Sequence, residues 1–364
     1  MRQTAGRVRL CMADSGLKRV RVLADAGEPS PDRRPRIGAT GWTGEERPVW
    51  GPRDSFVLYP RCTWIAAGTG VEVPGSAVWS YSFSTGRSYP FATPLQPRET
   101  GGEPPAYCLR SPTVRDDGGF AALVGERPGP ETCLMMRPLA MRPPGASEIR
   151  ADEYMLADWP AWEPGGRRLA FAQGALREAT ADRVASIRVI EPGGLVAFEA
   201  VRITVRRYRE LCPSDAVLHP NVPPDPWISG VNWSKDGRRI YFALTADATD
   251  KARFSLWSVR AEPDGVPVRE DPDDGMGYLA PRPYEHEAVG AVCWRRNRAH
   301  AVLLAGTGRM DASPDLPSDD LDWAPDASSV VVSAGRPPTA SAVGLKLYRI
   351  RSWPPAARER RQAP

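Results

Sequence analysis

A short block of residues recurs along this chain, and it constrains the fold more than any other feature of the sequence. Each block begins with an apolar residue, usually tryptophan, continues through a turn rich in Pro, Asp and Gly, and ends in apolar residues at the seventh and ninth places after the first. Two copies, 162–171 and 233–242, align without a gap, and the alignment extends to the two residues before each. Because side chains of a strand alternate with a period of two, the block predicts a β-hairpin that buries those two places.

The first apolar residue of each block is called its anchor. Six anchors are recognised: Trp50, Val114, Trp162, Trp233, Trp294 and Trp323. The turn residues that complete the repeat signature are Pro52, Gly118, Pro164, Gly166, Asp236, Gly237, Pro325 and Asp326. Successive anchors are 64, 48, 71, 61 and 29 residues apart, which is too irregular for a stiff solenoid. The last interval leaves room for only two strands, so the unit at Trp294 is short.

A second hairpin follows most anchors. The runs Ser186–Ile190 and Ser255–Val259 each precede a Pro-Gly-Gly or Pro-Asp-Gly turn. Two hairpins per anchor give about four strands per unit, which is the content of one propeller blade. We therefore predict an all-β fold, a six-bladed β-propeller of four-stranded antiparallel blades.

The two ends of the chain are expected to complete one blade together. Residues 8–23 read as the second hairpin of a blade that lacks its first. Pairing with C-terminal strands, either those after Trp323 or those of the Trp294 unit, would close the ring and remove exposed sheet edges. The alternative is that the true start lies upstream. Residues 1–355 are predicted to form one domain, and 356–364 a basic flexible tail.

Composition agrees with a turn-rich β protein. The chain has 364 residues, of which 39 are proline and 33 glycine. Proline lacks a backbone donor and glycine adds backbone entropy, so long helices are disfavoured and a helical bundle is nearly excluded. Hydrophobic residues make up 41%, enough for a sizeable core.

Charge and hydropathy bear on partners and location. The net charge is +4, and 44 of the 48 basic residues are arginines scattered along the whole chain. No nucleic-acid partner is predicted from this distribution. No run of 18 apolar residues occurs, so no membrane span is expected, and the N-terminus lacks the apolar stretch of a signal peptide. As written, the sequence predicts a cytoplasmic monomer, and a periplasmic protein if the start lies upstream.

The stretch from Trp233 to Phe242 resembles the Pro-x-Trp-Ser-Pro-Asp-Gly-x-x-Ile-Ala-Phe repeat of TolB-type six-bladed β-propellers. The runs 186–194 and 255–265 are similar to the strand that follows in that family. The resemblance covers roughly residues 8–355 and implies the propeller fold. The same repeat occurs in the propellers of prolyl-oligopeptidase-type serine peptidases. Because the matching residues are turns and core anchors, the resemblance implies no catalytic residue.

The sequence offers no catalytic constellation. A peptidase of that kind needs a Gly-x-Ser-x-Gly elbow, which is absent from the chain. The three histidines, His219, His286 and His300, fall in separate units, with His300 on a predicted strand. An imidazole without a nucleophile nearby is expected to be an ordinary polar residue. No catalytic residue and no cofactor are predicted.

Metal and phosphate sites are not predicted either. Glu285-His286-Glu287 lacks a second histidine at ligand spacing. The acidic stretches 271–275 and 311–322 do not match a calcium loop, and we expect solvated loops at both. The short glycine pairs at 68–70 and 306–308 are read as hairpin turns.

The six cysteines, Cys11, Cys62, Cys108, Cys133, Cys212 and Cys293, are far apart in sequence and are expected to be buried thiols. Cys108 is predicted on the first strand of its unit and Cys133 on the third. One intervening strand would separate their backbones by roughly 9–10 Å, beyond disulfide reach. We predict that they do not pair.

Three functions remain open at this point. The first is a non-catalytic scaffold that binds a protein or peptide on one rim of the disc. The second is a propeller enzyme, a hydrolase or lyase, whose dispersed residues meet at the central channel and leave no linear motif. The third is a sensor or regulatory domain of a larger polypeptide. The absence of a catalytic motif favours the scaffold.

Overall fold

The computed structural model describes residues 8–13, 20–27, 48–51, 55–66, 72–92, 108–126, 132–138, 147–149, 155–175, 184–191, 197–218, 224–247, 250–284, 289–296, 298–305, 308–311, 321–323, 329–334 and 344–349. The strands are β1 Val8–Ala13, β2 Val20–Gly27, β3 Val49–Trp50, β4 Phe56–Ala66, β5 Glu72–Ser82, β6 Arg87–Ala92, β7 Cys108–Val114, β8 Phe120–Glu126, β9 Thr132–Pro138, β10 Ser147–Ile149, β11 Met155–Trp162, β12 Leu169–Ala175, β13 Val184–Ile190, β14 Ala197–Thr204, β15 Trp227–Trp233, β16 Arg239–Thr245, β17 Ser255–Arg260, β18 Val268–Arg269, β19 Gly277–Pro283, β20 Val289–Arg295, β21 Arg298–Ala305, β22 Gly308–Asp311, β23 Leu321–Trp323, β24 Ser329–Ala334 and β25 Gly344–Arg349. The helices are α1 Val205–Leu211, α2 Pro213–Leu218 and a 3-10 turn at Lys251–Arg253.

The described strands form five sheets, and most run as consecutive antiparallel neighbours. Sheet 2 has the order β11-β12-β13-β14, sheet 3 the order β15-β16-β17-β18, and sheet 4 the order β19-β20-β21-β22. Sheet 1 is eight-stranded, but its halves β3–β6 and β7–β10 are joined by one parallel residue pair, Ser76 with Cys108. Each half is therefore a four-stranded unit like sheets 2, 3 and 4.

The terminal sheet contains both ends of the chain, in the order β2-β1-β25-β24-β23. Residues Arg9–Ala13 pair in parallel with Gly344–Tyr348. The expected pairing of the N-terminal strands with those after Trp323 is therefore present, although its direction is parallel rather than antiparallel.

The first strands of successive four-stranded units lie beside one another. Contacts run from β3 to β7, β7 to β11, β11 to β15, β15 to β19, β19 to β23, and from β23 to β3. The sheets thus meet along their inner strands.

Five anchors stand at the last residue of a first strand, as the repeat requires: Trp50, Val114, Trp162, Trp233 and Trp323. The prediction for Trp294 is wrong. That residue lies in β20, the second strand of sheet 4, paired with Gly277 and Ala299. The first strand of the sheet is β19, which ends at Pro283. The block matched because the β20–β21 hairpin has the same apolar-turn-apolar pattern, and the short interval before Trp323 disappears with the correction.

The turns after the anchors form as predicted where they are described. Gly118, Gly166 and Gly237 stand four residues after their anchors with φ of 71°, 72° and 69°. Each donates its N–H to the carbonyl three residues back, at 2.8, 2.8 and 3.0 Å. In the last turn Asp236 accepts bonds from Ser234 Oγ and the Arg238 N–H, which lower the pKa of its carboxyl. Pro52, Pro325 and Asp326 lie outside the described residues.

Burial exceeds the expectation of one buried face per strand. Ile240 and Phe242, the seventh and ninth residues after Trp233, are buried, but so is Tyr241 between them. A sheet packed between two neighbouring sheets buries both of its faces, which is the situation of a propeller blade. The core is accordingly a series of apolar clusters between sheets, the largest lying between sheets 2 and 3.

The end of each of two first strands, β11 and β15, contacts the turn region of the preceding unit through its anchor. The Trp233 indole N–H donates to the Ala161 carbonyl at 2.9 Å, across sheets 2 and 3. The guanidinium of Arg168 lies 4.9 Å from the Trp233 ring centroid and is held by Glu163 at 2.5 Å. One sheet earlier, Arg115 lies 5.8 Å from the Trp162 ring. Trp162 and Trp233 are thus each covered by a cation of the preceding unit.

Helices α1 and α2 were not predicted. Thr204 begins α1 by accepting the Arg207 N–H with Oγ1 at 3.1 Å, an N-cap, and Pro213 opens α2. Asp215 of α2 binds Arg253 through two bonds of 2.8 Å and accepts the Tyr208 hydroxyl at 3.0 Å. This nearly buried network ties the helices to sheet 3.

The hydrogen bond of Trp233 offers a test of the contact between sheets. We expect Trp233→Phe to lose about 1 kcal/mol more stability than Trp162→Phe, because only the first substitution leaves a buried carbonyl without its donor. The Trp162 indole nitrogen has no partner among the described residues, and both rings lie under an arginine, so Trp162→Phe is a matched control. Urea unfolding measures both. Equal losses would show that the bond contributes nothing.

Gly166 tests the close approach of sheet 1 to sheet 2. A Cβ at Gly166 would collide with Cδ of Arg115, and its φ of 72° is strained for alanine. Gly275 has a similar φ of 75° but open space around it. We expect Gly275→Ala to cost about 1–2 kcal/mol from the backbone alone, and Gly166→Ala to cost distinctly more. Denaturant midpoints compare them, and equal midpoint shifts would contradict the packing argument.

Candidate functional site

Four neighbouring first strands carry a β-bulge at the same place. In β7, β11, β15 and β19 the register shifts three residues before the strand ends. The first bulge residues are Ser111, Trp159, Gly230 and Ala280, with φ of 46°, 51°, 63° and 47°. A non-glycine residue held in this region costs about 1–3 kcal/mol and persists only where the surroundings enforce it. The inner strands thus share a strained, repeated feature.

Polar contacts connect these bulges from sheet to sheet. Ser111 Oγ donates to Asp158 Oδ1 at 3.0 Å, and the Trp159 N–H donates to the same oxygen at 2.7 Å. Further along, Asn232 Nδ2 donates to the Pro281 carbonyl at 2.7 Å. These bonds place buried polar groups along the inner strands of sheets 1 to 4.

A small pocket lies beside this line, between sheets 2 and 3. Its volume is about 20 Å³, and it is open on one side. The lining residues are Asp158, Ala172, Gln173, Gly174, Ala185, Pro226, Trp227 and Ile228. Six of the eight are apolar or glycine, so the wall of the pocket is largely apolar.

Gln173 is the most unusual residue of the pocket. Its side chain is buried, with 3% of the residue exposed, and neither Oε1 nor Nε2 has a hydrogen-bond partner among the described residues. Asp158 is 6% exposed. Buried polar atoms in proteins are almost always paired, so a carboxamide with a donor and an acceptor both unpaired requires an explanation.

Strand directions place the pocket at one end of the sheets. The "turn end" is defined as the end that carries residues 163–168 and 234–238, which join first strands to second strands. The "helix end" is the opposite end, where 205–218 connect sheet 2 to sheet 3 and 251–253 precede β17. Because Trp227 opens β15 and Gly174 lies near the end of β12, the pocket lies toward the helix end.

The sequence did not identify these residues. No site residue was predicted, and the signature residues that are described serve as strand ends and turns. The residue pairs Ser111-Pro112, Trp159-Pro160 and Ala280-Pro281 mark three of the four bulges. Pro112 and Pro160 stand two residues before an anchor, but no bulge was predicted from them.

The histidines and glycine pairs that the sequence analysis considered do not line this pocket. His300 is half-buried on β21, as expected for a strand residue, whereas His219 and the 285–287 motif lie outside the described residues. Residues 67–71 and 306–307 also lie outside them, and Gly308 begins β22. No group of three or more possible metal ligands occurs in the part of the chain that the structure describes.

The prediction of a solvated loop at 271–275 is wrong for Asp271. Its side chain is only 1% exposed and accepts the Leu256 N–H at 2.6 Å, the Asp273 N–H at 3.0 Å and Arg269 Nε at 2.9 Å. Burial raises the pKa of this carboxyl. Asp271 therefore holds the connection between sheets 3 and 4. Of the second acidic stretch, 312–320 lie outside the described residues.

The cysteines that are described agree with the sequence reading. Cys212 and Cys293 are free and buried, and burial raises the pKa of the Cys212 thiol. Cys108 is in β7 and Cys133 in β9, with β8 between them, as the strand assignment required. That they form no disulfide stays a prediction.

Comparison with solved structures identifies the fold. A protein assigned as TolB from Agrobacterium tumefaciens superimposes with a TM-score of 0.51 at 14% identity, over 87% of this chain and 92% of that one. TolB from Acinetobacter baumannii gives 0.47 at 13% identity, over 85% and 64% of the two chains. A puromycin-hydrolyzing peptidase from Mycobacterium tuberculosis gives 0.49 at 11%, over 84% and 51%. The first likeness confirms the all-β propeller fold.

Sequence comparisons add no family to this structural likeness. Neither a protein-family profile nor a curated protein sequence matches the chain. In the described residues no helix is long and apolar enough to cross a membrane.

The bond between Ser111 and Asp158 can be tested by removing its donor. We expect Ser111→Ala to cost about 1.5–3 kcal/mol, because a hydrogen bond to a buried carboxylate is lost. Ser229, a buried serine in β15, makes no side-chain bond to the described residues, so Ser229→Ala is the control and should change stability by less than about 1 kcal/mol. Thermal unfolding compares the variants. Equal losses would mean that the bond does not stabilise the bulges.

Proposed function

We propose that residues 1–355 form one closed, six-bladed propeller, with 356–364 as a basic tail. The near-separation of sheet 1 at the pair Ser76 and Cys108 supports six units, as do the contacts of β23 with both β19 and β3. The parallel pairing of β1 with β25 supports closure by the chain ends. These observations together account for every described strand.

We infer further that this propeller is a binding protein whose partner, a protein or a peptide, docks at the helix end. The observation that carries the proposal is the buried, unpartnered carboxamide of Gln173 beside a partly open pocket. A residue kept only for packing would be apolar at this position, because an unpaired buried amide destabilises the fold. A few convergent polar groups in an otherwise apolar depression are typical of binding sites.

The size of the pocket favours a macromolecular partner over a small-molecule substrate. Ligand pockets for whole small molecules are about 300–1,000 Å³, far larger than the space beside Gln173, about 20 Å³. A pocket of this size takes one chemical group, so useful affinity needs further contacts around it. The rim at the helix end, with α1 and α2, supplies that surface. No specific observation favours the enzyme hypothesis or the sensor hypothesis.

Two matched charge reversals test the docking end. Arg206 (91% exposed) and Arg209 lie on α1 at the helix end, whereas Lys235 and Arg238 (86% exposed) lie in a turn at the turn end. We expect Arg206→Glu/Arg209→Glu to lose the partner that the wild-type chain captures from native lysate. The matched variant Lys235→Glu/Arg238→Glu changes the charge equally and should keep the partner. Exposed charges contribute little to folding, so both variants should fold.

Cross-linking gives a second measurement on the same complex. The lysines Lys251 and Lys235 lie at the helix end and the turn end, respectively. Amine cross-links from the partner should form at Lys251 and not at Lys235. Loss of capture only in the turn-end variant, with links at Lys235, would place the partner on the other rim. If no protein or peptide is captured reproducibly, the scaffold proposal fails.

A further inference from the structure

The hairpin that joins β20 to β21 carries three arginines at its tip, and it supports an inference about the partner that rests on the proposed binding function. Residues 295–298 read Arg-Arg-Asn-Arg. Arg295 pairs with Arg298, so only two residues connect the strands. The three arginines are all exposed. This "arginine tip", defined as Arg295, Arg296 and Arg298, presents a dense positive charge to solvent.

The arginine tip lies at the helix end. Trp294, the residue before it, pairs with Gly277 at the start of β19. The Lys251 ammonium group of the 3-10 turn lies 5.5 Å from the centroid of the Trp294 ring. A Cβ on Gly277 would collide with the Lys251 carbonyl, so these elements are in close contact. The tip therefore stands on the rim that we propose for docking.

The backbone of Arg296 is unusual for an arginine. Its φ is 48°, in the left-handed region. The favoured two-residue hairpin turns require a positive φ at this place and select Asn, Asp or Gly, which tolerate it best. In addition, Arg295 and Arg298 stand directly opposite each other, and like charges at opposed positions destabilise an antiparallel pair. A backbone outlier of this kind indicates a role other than stability.

The acidic side chains of the neighbouring connections are already engaged. In the stretch that leads into β19, Asp273 binds Arg269 at 2.7 Å and Asp274 binds Arg309 at 2.8 Å. Asp250 serves as the N-cap of the 3-10 turn. The first two arginines of the tip form no ion pair with the part of the chain that the structure describes. Their charge is therefore available to a partner.

Carboxylates are the groups that this tip fits. A guanidinium group presents a planar fork of donors that matches a carboxylate through two parallel hydrogen bonds. Adjacent arginines can bind successive carboxylates of one chain in this way. We propose that the arginine tip is the docking point for an acidic segment, a run of Asp or Glu residues, in the protein or peptide partner.

The observations favour an acidic peptide over a nucleic acid. Single strands bind through exposed aromatic rings on which bases stack. The exposed ring among the described residues is Tyr89 on β6, in sheet 1, whereas Trp294 lies under Lys251. A duplex binds through many phosphate contacts along a basic track. At the helix end the basic residues alternate with exposed acids such as Asp250 and Asp273, which would repel phosphates.

Hexaglutamate is the probe for this proposal, and hexaglutamine is its uncharged comparator. Fluorescence anisotropy of the labelled peptides with the full chain should detect hexaglutamate binding in about 50 mM salt, and binding should weaken at least about tenfold in about 500 mM salt, because salt screens exposed charges. Hexaglutamine should not bind. No hexaglutamate binding, or equal binding of the two peptides, would overturn the proposal.

Substitution of the tip separates binding from folding. Arg295→Gln/Arg296→Asn removes two charges and gives the left-handed position a residue that suits it. Hexaglutamate should bind at least about fivefold more weakly, because two bidentate pairs are lost, while the melting temperature stays the same or rises. Unchanged hexaglutamate binding would refute the docking point, and a lower melting temperature would contradict the argument from the backbone of Arg296.

The matched control removes the same charge from another exposed turn. Lys235→Gln/Arg238→Gln changes the turn after β15, at the turn end, where Arg238 is 86% exposed. This variant should bind hexaglutamate as the wild-type chain does. Equal losses in the two double variants would show that net charge alone governs binding and would refute the site.

Nucleic acid is tested on the same variants. A dT oligonucleotide and a short DNA duplex should bind more weakly than hexaglutamate. Tighter binding of either one, lost in Arg295→Gln/Arg296→Asn, would assign the arginine tip to nucleic acid and overturn the proposal.

These outcomes are distinguishable from those of the capture experiment. Hexaglutamate binding at the arginine tip without any captured partner would support the docking point and refute the proposed scaffold. A partner captured equally by the wild-type chain and by Arg295→Gln/Arg296→Asn would support the scaffold and refute the docking point.

Discussion

The contact between the ends of adjacent first strands is the interaction on which this propeller depends. A four-stranded sheet of short strands cannot bury both of its faces by itself. At the junction of sheets 2 and 3 the Trp233 indole bonds to the Ala161 carbonyl, and Arg168 covers the ring while Glu163 holds the arginine. This contact positions sheet 3 against sheet 2, and the two facing surfaces form one core. Two of the outer edge strands, β10 and β18, have only three and two residues, which limits edge-to-edge association there.

The sequence predicted the parts of this junction that local chemistry determines. An anchor at a strand end followed by a left-handed glycine is readable because only a few residues tolerate such a turn. The same logic misplaced the anchor of sheet 4, since every hairpin of a blade has apolar flanks and a polar turn, and Trp294 belongs to the second hairpin connection rather than the first. Helix α1 was missed because the high proline content argued against helices, although Thr204 and the Arg- and Glu-rich stretch after it are favourable helix signals.

The candidate site could not be read from the sequence, for a physical reason. Asp158 and Gln173 lie on neighbouring strands of sheet 2, but the wall that makes a pocket of them, Trp227 and Ile228, comes from sheet 3. No spacing of residues in the sequence predicts that these residues of sheets 2 and 3 lie next to one another. It arises only when the anchors have set the two sheets side by side, so the residues most visible in the sequence build the site without belonging to it.

The bulges explain how one inner strand can carry both an anchor at its end and a buried polar contact further along. In a regular strand, side chains alternate strictly between the two faces of the sheet. The face on which a polar residue lies would therefore determine the face on which the anchor lies. One extra residue interrupts this alternation and sharpens the local twist. In β11 the bulge at Trp159 lies between Asp158 and Trp162 and shifts the pairing register. The face on which Asp158 lies therefore does not determine the face on which Trp162 lies. The strain at Ser111, Trp159 and Ala280 is then the consequence of combining the anchored junction at the end of the inner strands with buried polar contacts further along them.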